Sequence, residues 1–223
     1  MNKDLKMNAK GVISTLIFCL TAVAILALGC GDDDGITPPP QKSSPYKNLQ
    51  NKDDILFNLE RAYNKRNFEQ FEKLLDSSFV FVLSKKDYNS GEVDVPQWGR
   101  IRELSVTQQI FDPSLDSDLR VISIDLELDY SAGNWSPQPP DTVHPAETWY
   151  TKKVDYDLVT NTADNWEHRA LDLQAKFTIR QDDATGRWQI VVWADDVDGI
   201  GVLTPGRRVV EEVTWGAIKA QYR

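Results

Sequence analysis

The sequence predicts an α+β fold, with three amino-terminal helices packed on a curved antiparallel sheet in the order α-α-β-α-β-β-β-β. Three features predict it. Between Asp53 and Phe111, apolar residues recur at helical spacing. From Ile122 to Trp193 they fall at every second position in four separate runs. Between the last two runs, Asp182-Asp183-Ala184-Thr185-Gly186 has the composition of a hairpin loop.

The first helix is expected from about Asp53 to Asn64, with Asn51 as its N-cap and Asp53 and Asp54 at its positive end. Its spacing joins Ile55, Leu59 and Ala62, and also Leu56, Leu59 and Tyr63. Asn67 with Gln70 resembles a capping box that opens a second helix, striped by Phe68, Phe71, Leu74 and Leu75. Phe79–Leu83 reads as a strand. A third helix is expected to begin at Pro96, bury Trp98, Ile101, Leu104 and Phe111, and stop at Pro113.

The four alternating runs follow. Their expected inner faces are Ile122, Ile124, Leu126 and Leu128; Val154, Tyr156 and Leu158; Leu171, Leu173, Ala175, Phe177 and Ile179; and Trp188, Ile190 and Val192. One apolar and one polar side per strand argues for an antiparallel sheet covered on one face. By the same alternation Trp149 and Trp193 fall on the polar face, where exposed aromatics would be a candidate interface for a partner or a second copy. The other expectation for these two is cover by a loop or by the tail, where Trp215–Lys219 reads as a short helix or terminal cap.

The chain has 223 residues, 41% hydrophobic and 26% charged, with a net charge of −9. That is an ordinary globular composition. An acidic surface repels phosphate backbones, so nucleic acid is excluded as a partner. The two cysteines are Cys19 and Cys30. Neither lies in the expected domain, which therefore has no disulfide framework and no thiolate metal site.

The first ten residues are basic on balance, Gly11–Leu28 is apolar and uncharged, and small residues precede Cys30. This is the layout of an export signal. Ala27-Leu28-Gly29-Cys30 resembles the lipobox of bacterial lipoproteins, with Ala27 where that family usually has Leu. The resemblance implies cleavage after Gly29, lipidation of Cys30 and a membrane anchor through acyl chains. The protein would then sit on the periplasmic side of the inner membrane or at the outer membrane. An uncleaved membrane span is the alternative. The domain organisation expected is 1–29 signal peptide, 30–50 lipidated Cys and flexible tether, 51–198 folded domain, and 199–223 carboxy-terminal extension with a short helix. Pro38-Pro39-Pro40 stiffens the tether, and Asp32–Asp34 keeps it solvated.

Leu59-Glu60-Arg61-Ala62-Tyr63, Asn67-Phe68, Leu74-Leu75-Asp76, Phe79-Val80-Phe81 and Trp188–Trp193 together resemble the nuclear-transport-factor-2-like superfamily, also called SnoaL-like or cystatin-like cones. The resemblance spans residues 51–198. It implies helices packed across a curved sheet around a conical cavity. Members include isomerases, dehydratases and hydrolases, and many are non-catalytic. Fold alone does not choose among these.

An enzyme on this fold needs ionisable groups aimed into the cone. In the expected register the apolar strand faces carry no Asp, Glu or His. Tyr63 and Tyr156 are the inward polar groups, and buried tyrosines usually find one partner and do no more. His144 and His168 have no serine or cysteine partner in a recognisable motif. Asp195–Gly199 fails as a calcium loop, since Ala194 would stand first and Pro205 twelfth. No catalytic residue, metal or cofactor is therefore assigned. The leading expectation is a membrane-anchored lipoprotein with a non-catalytic domain that binds a small apolar ligand or a protein partner, or forms a homodimer. Leu59, Tyr63, Phe79, Phe81, Trp98, Tyr156, Phe177 and Trp188 would line its pocket. The alternatives are a small-molecule enzyme of the same fold, using Tyr63, Tyr156 and Asp195, and a structural component of envelope assembly.

Overall fold

In the computed structural model, residues 44–90, 95–131, 133–139, 148–195 and 214–222 are described. The expected signal, Cys30, the expected tether up to Ser43, His144 and Asp196–Gly199 lie outside them. Residues 44–223 form one compact unit.

The helices are α1 (Lys52–Asn64), α2 (Phe68–Glu72), α3 (Lys85–Ser90), α4 (Arg100–Phe111) and α5 (Trp215–Ala220). The strands are β1 (Leu75–Val82), β2 (Gln97–Gly99), β3 (Val121–Asp129), β4 (Ser136–Gln138), β5 (Trp149–Thr162), β6 (Glu167–Gln181) and β7 (Trp188–Ala194). This is the α+β arrangement that the sequence predicts. The strands form one sheet in the order β2-β1-β7-β6-β5-β3, with β4 beside β5. Its pairings are antiparallel except β1 with β7, which is parallel.

Local signals read correctly set several boundaries. Asn51 is the N-cap of α1, and the Asn67 side chain accepts from the Gln70 amide at 3.1 Å to open α2. The hairpin loop closes with Gly186 at φ 66°, a conformation that a residue without Cβ adopts freely. Asp182 turns the loop by accepting from the Thr185 amide.

Five expectations need correction. Pro96 does not start a helix: Gln97–Gly99 pairs with Val80–Val82 as an edge strand, and α4 begins only at Arg100. Trp98 is therefore a strand residue. The buried face of α4 is rotated from the expected one, with Glu103, Val106, Thr107, Ile110 and Phe111 inside and Ile101 87% exposed.

The other corrections share a cause. In β7 the partner of Ile179 is Ile190 and the partner of Thr178 is Val192, so Val191 is an extra residue. A bulge of this kind flips the alternation beyond it. Trp193 thus turns inward and is 1% exposed. The same effect exposes Ile122, skipped between Val121 and Ser123 on β3. In β6 it puts Ala170 inside in place of Leu171, next to Asp172 at φ 55°.

Residues of the sheet, α1, α2, α4 and α5 form the core. The outer face is acidic: Glu127 stands opposite Asp157, and Asp129 opposite Asp155. Like charges in direct register cost stability.

Candidate functional site

The residues expected to line a pocket lie in or against the hydrophobic core. Leu59, Tyr63, Phe79, Phe81, Trp98, Tyr156 and Phe177 are each at most 5% exposed and belong to one cluster. Trp188 packs at its edge, edge-on to Tyr150, with the Lys52 ammonium over both rings. Trp149 and Trp193 do not share a face. Trp193 meets Tyr63, Phe81 and Phe177 in the interior, while Trp149 is half-buried on the side of β5 opposite Tyr150.

At the centre lies α5. Trp215, Gly216, Ala217, Ile218 and Lys219 are all buried, so this short helix is covered all round, as only an inserted helix is. The Trp215 ring stands edge-on to Tyr63 at 5.2 Å. Thr214 caps the helix, its hydroxyl accepting from the Ala217 amide.

Three buried carboxylates from different elements receive this segment. Glu103 on α4 binds the Lys219 ammonium at 2.6 Å, both side chains having no exposure. Asp195, just past β7, accepts from the Gly216 amide at 2.7 Å through one oxygen and from the Tyr156 hydroxyl at 2.5 Å through the other. Asp87 on α3 accepts from the Thr214 hydroxyl. Gly216 lies so close that a Cβ there would stand 2.6 Å from Leu83 Cδ2, 3.0 Å from Asp87 Oδ2 and 3.3 Å from Asp195 Oδ2.

Burial sets the electrostatics. It lifts Asp195 to about 6, against the pull of Tyr156 and Gly216, with Asp87 adding to the rise and Lys219 opposing it. Burial also holds Lys219 below its ordinary value, although Glu103 stabilises its charge. Tyr63 is pushed well above the tyrosine range by burial and then by Glu103. Its hydroxyl and the Nε1 groups of Trp193 and Trp215 have no hydrogen-bond partner among the described residues.

The absence of acid or base from the interior, expected from strand register, is thus corrected. Asp76 on β1 and Lys152 on β5 are buried strand residues, Glu103, Asp87 and Lys219 enter from helices, and Asp195 enters from a strand exit. A signal for Glu103 was present: it lies three and four residues before Val106 and Thr107, in one helical stripe. His168 is half-buried at the start of β6. No group of three metal-binding side chains occurs among the described residues.

No family model matches the sequence, and no curated protein matches it. Among solved structures the chain is similar to a ketosteroid isomerase-like protein from Erwinia carotovora atroseptica, at 13% identity and a TM-score of 0.38, covering 63% of this chain and 88% of that one. It is similar to an NTF2-like protein of unknown function from Pseudomonas putida, at 11% identity and a TM-score of 0.40, covering 68% and 92%. A third is the hexachlorocyclohexane dehydrochlorinase LinA-type3 from Novosphingobium barchaimii, at 10% identity and a TM-score of 0.38, covering 68% and 90%.

Proposed function

We propose that the chain is a lipid-anchored protein of the bacterial envelope whose domain is a non-catalytic binding module, with the concave side of the sheet as its receptor surface. The observation that carries this reading is the seating of Thr214–Tyr222. Three buried carboxylates each meet a donor of that segment, and aromatic rings enclose it. The same groups would suit a short peptide of similar chemistry. A general base must lie within hydrogen-bond reach of the proton it takes, and Asp195 is only 2% exposed. Both oxygens of Asp195 are engaged by the chain itself.

The anchor is the Cys30 acyl group, on the basic start, apolar run and lipobox-like Ala27–Cys30. It places the domain on the periplasmic side of the inner membrane or at the outer membrane. Cells fed a labelled fatty acid should label the wild-type chain and not Cys30→Ala. Continued labelling of the variant removes the anchor.

One observation favours a second reading, an enzyme acting on a small apolar substrate. Asp195, lifted to about 6 and bonded to Tyr156, has the protonation balance of an acid–base pair near neutral pH. The two readings separate on turnover. The full chain, incubated with a panel of small enolisable carbonyl compounds, should give no conversion that Asp195→Asn abolishes. Conversion lost in that variant would replace the binding reading with the enzyme.

A further inference from the structure

We propose that the space bounded by Glu103, Phe81 and Trp193 is a binding site for primary alkylammonium groups, occupied in this chain by Lys219. The inference rests on the receptor reading above and names the ligand class of the same interior.

The site is built by the body of the domain. Phe81 comes from β1, Trp193 from β7 and Glu103 from α4. Lys219 Nζ stands 3.9 Å from the centre of the Phe81 ring and 4.2 Å from that of Trp193. Trp215, of α5 itself, adds a third ring at 5.1 Å. Ring faces carry negative charge density and attract a cation, most strongly where water is excluded.

Groups other than the cation also hold Glu103. Trp98 Nε1 on β2 donates to its Oε2 at 2.8 Å, and the Thr107 hydroxyl, one turn along α4, donates to Oε1 at 3.4 Å. Oε1 is the atom that meets Nζ, at 2.6 Å. A carboxylate with no exposure needs a cation, because an uncompensated buried charge is strongly unfavourable.

The shape of the contact selects the cation. A guanidinium is a planar fork that matches both oxygens of a carboxylate. Here Oε2 is already given to the Trp98 indole, which leaves one oxygen and two ring faces for a compact charge. That suits a primary ammonium on an alkyl stem.

The test uses the full chain. Lys219→Ala removes the atoms of an n-propylammonium ion and leaves Glu103 without its cation. The variant should melt below wild type. Saturating n-propylammonium chloride should then raise its Tm by roughly 5 °C. Sodium chloride at equal ionic strength and neutral 1-propanol should not. Wild type should respond to the amine no more than to sodium chloride, and Glu103→Gln with Lys219→Ala should not respond. Equal response of Lys219→Ala to amine and salt, or a response in the double variant, overturns the inference.

Should Lys219→Ala not fold unaided, the readout becomes the yield of folded protein on dilution from urea, where no gain from the amine over salt likewise overturns it. Failure of the receptor reading would show elsewhere: the Gly216 amide of wild type would exchange hydrogen as fast as an exposed loop. A protected Gly216 with no amine response removes the ligand class and leaves the receptor.

Discussion

The Gly216 amide donates to the Asp195 carboxylate at 2.7 Å, and this hydrogen bond holds α5 so close that its glycine has no room for a side chain. A Cβ would meet Leu83, Asp87 and Asp195 together, Leu83 at 2.6 Å. Alanine gains about 1 kcal/mol over glycine in helix propensity, but forcing a methyl into a packed interior costs about 1–3 kcal/mol. Gly216→Ala should therefore lower the urea midpoint, corresponding to a net stability loss of about 1 kcal/mol. In a Leu83→Ala background, the further loss from Gly216→Ala should be smaller than in wild type. A midpoint at or above wild type would mean that α5 does not sit against these carboxylates.

Asp195 should make the protein more stable in mild acid. Its folded pKa is about 6 against an ordinary 3.8, so the folded state binds a proton that the unfolded chain has released. Stability from this group is full below about 3.8 and is lost as pH rises through about 6. The full swing is on the order of 3 kcal/mol. Glu60 is raised as well, by burial first and by Glu127 and Asp125, and slopes the same way. The informative quantity is therefore the difference between wild type and Asp195→Asn. Urea midpoints between pH 4 and 7 should fall with pH in wild type and fall less in the variant. Tyr156, Asp87 and Lys219 face the same carboxylate, and all three remain in place in Asp195→Asn. Parallel curves would reject the assignment.

What the sequence made legible follows from range. Caps and hairpins are local, so Asn51, Asn67 and Gly186 could be read from a few neighbours. Strict alternation in β5 identified Val154, Tyr156 and Leu158 without any knowledge of partners. The misses arise where a distant segment decides. Val191 is an extra residue only relative to β6, and nothing local marks it, so Trp193 fell on the wrong face. Gln97–Gly99 became a strand because β1 offered an edge. Parallel pairing of β1 with β7 leaves no mark in a period of two. The ion pair of Glu103 and Lys219 joins residues 116 apart, and only the fold brings them together.

Asn64 should seal the β3 edge of the sheet. β3 ends the strand order, and free edges pair with other chains. At the end of α1, the Asn64 side chain accepts from the Leu126 amide at 2.7 Å and donates to the Leu126 carbonyl at 2.9 Å, as a neighbouring strand would. Glu60 accepts from the Leu128 amide, and Arg66 donates to the Val121 carbonyl. Asn64→Ala should cost about 1–3 kcal/mol through the two lost hydrogen bonds. It should also raise self-association in sedimentation velocity at high protein concentration. An unchanged sedimentation profile with reduced stability would limit Asn64 to holding α1 in place.

Trp149 and Trp193 share one spacing pattern but should answer mutation very differently. Trp193 sits beyond the Val191 bulge, 1% exposed, with its ring against Tyr63, Phe81 and Phe177 and the Lys219 ammonium over it. Trp193→Ala opens a cavity there and removes a ring face from the cation, at a cost of about 3–5 kcal/mol. Trp149 is half-buried at the start of β5, on the far side of that strand from Tyr150. Trp149→Ala should cost less than about 2 kcal/mol, because a half-exposed ring has less area to lose. Urea melts of the two variants read the difference directly. Equal losses would mean that the alternation runs through β7 without a break, and the interior described above would lose one of the walls of its cation site.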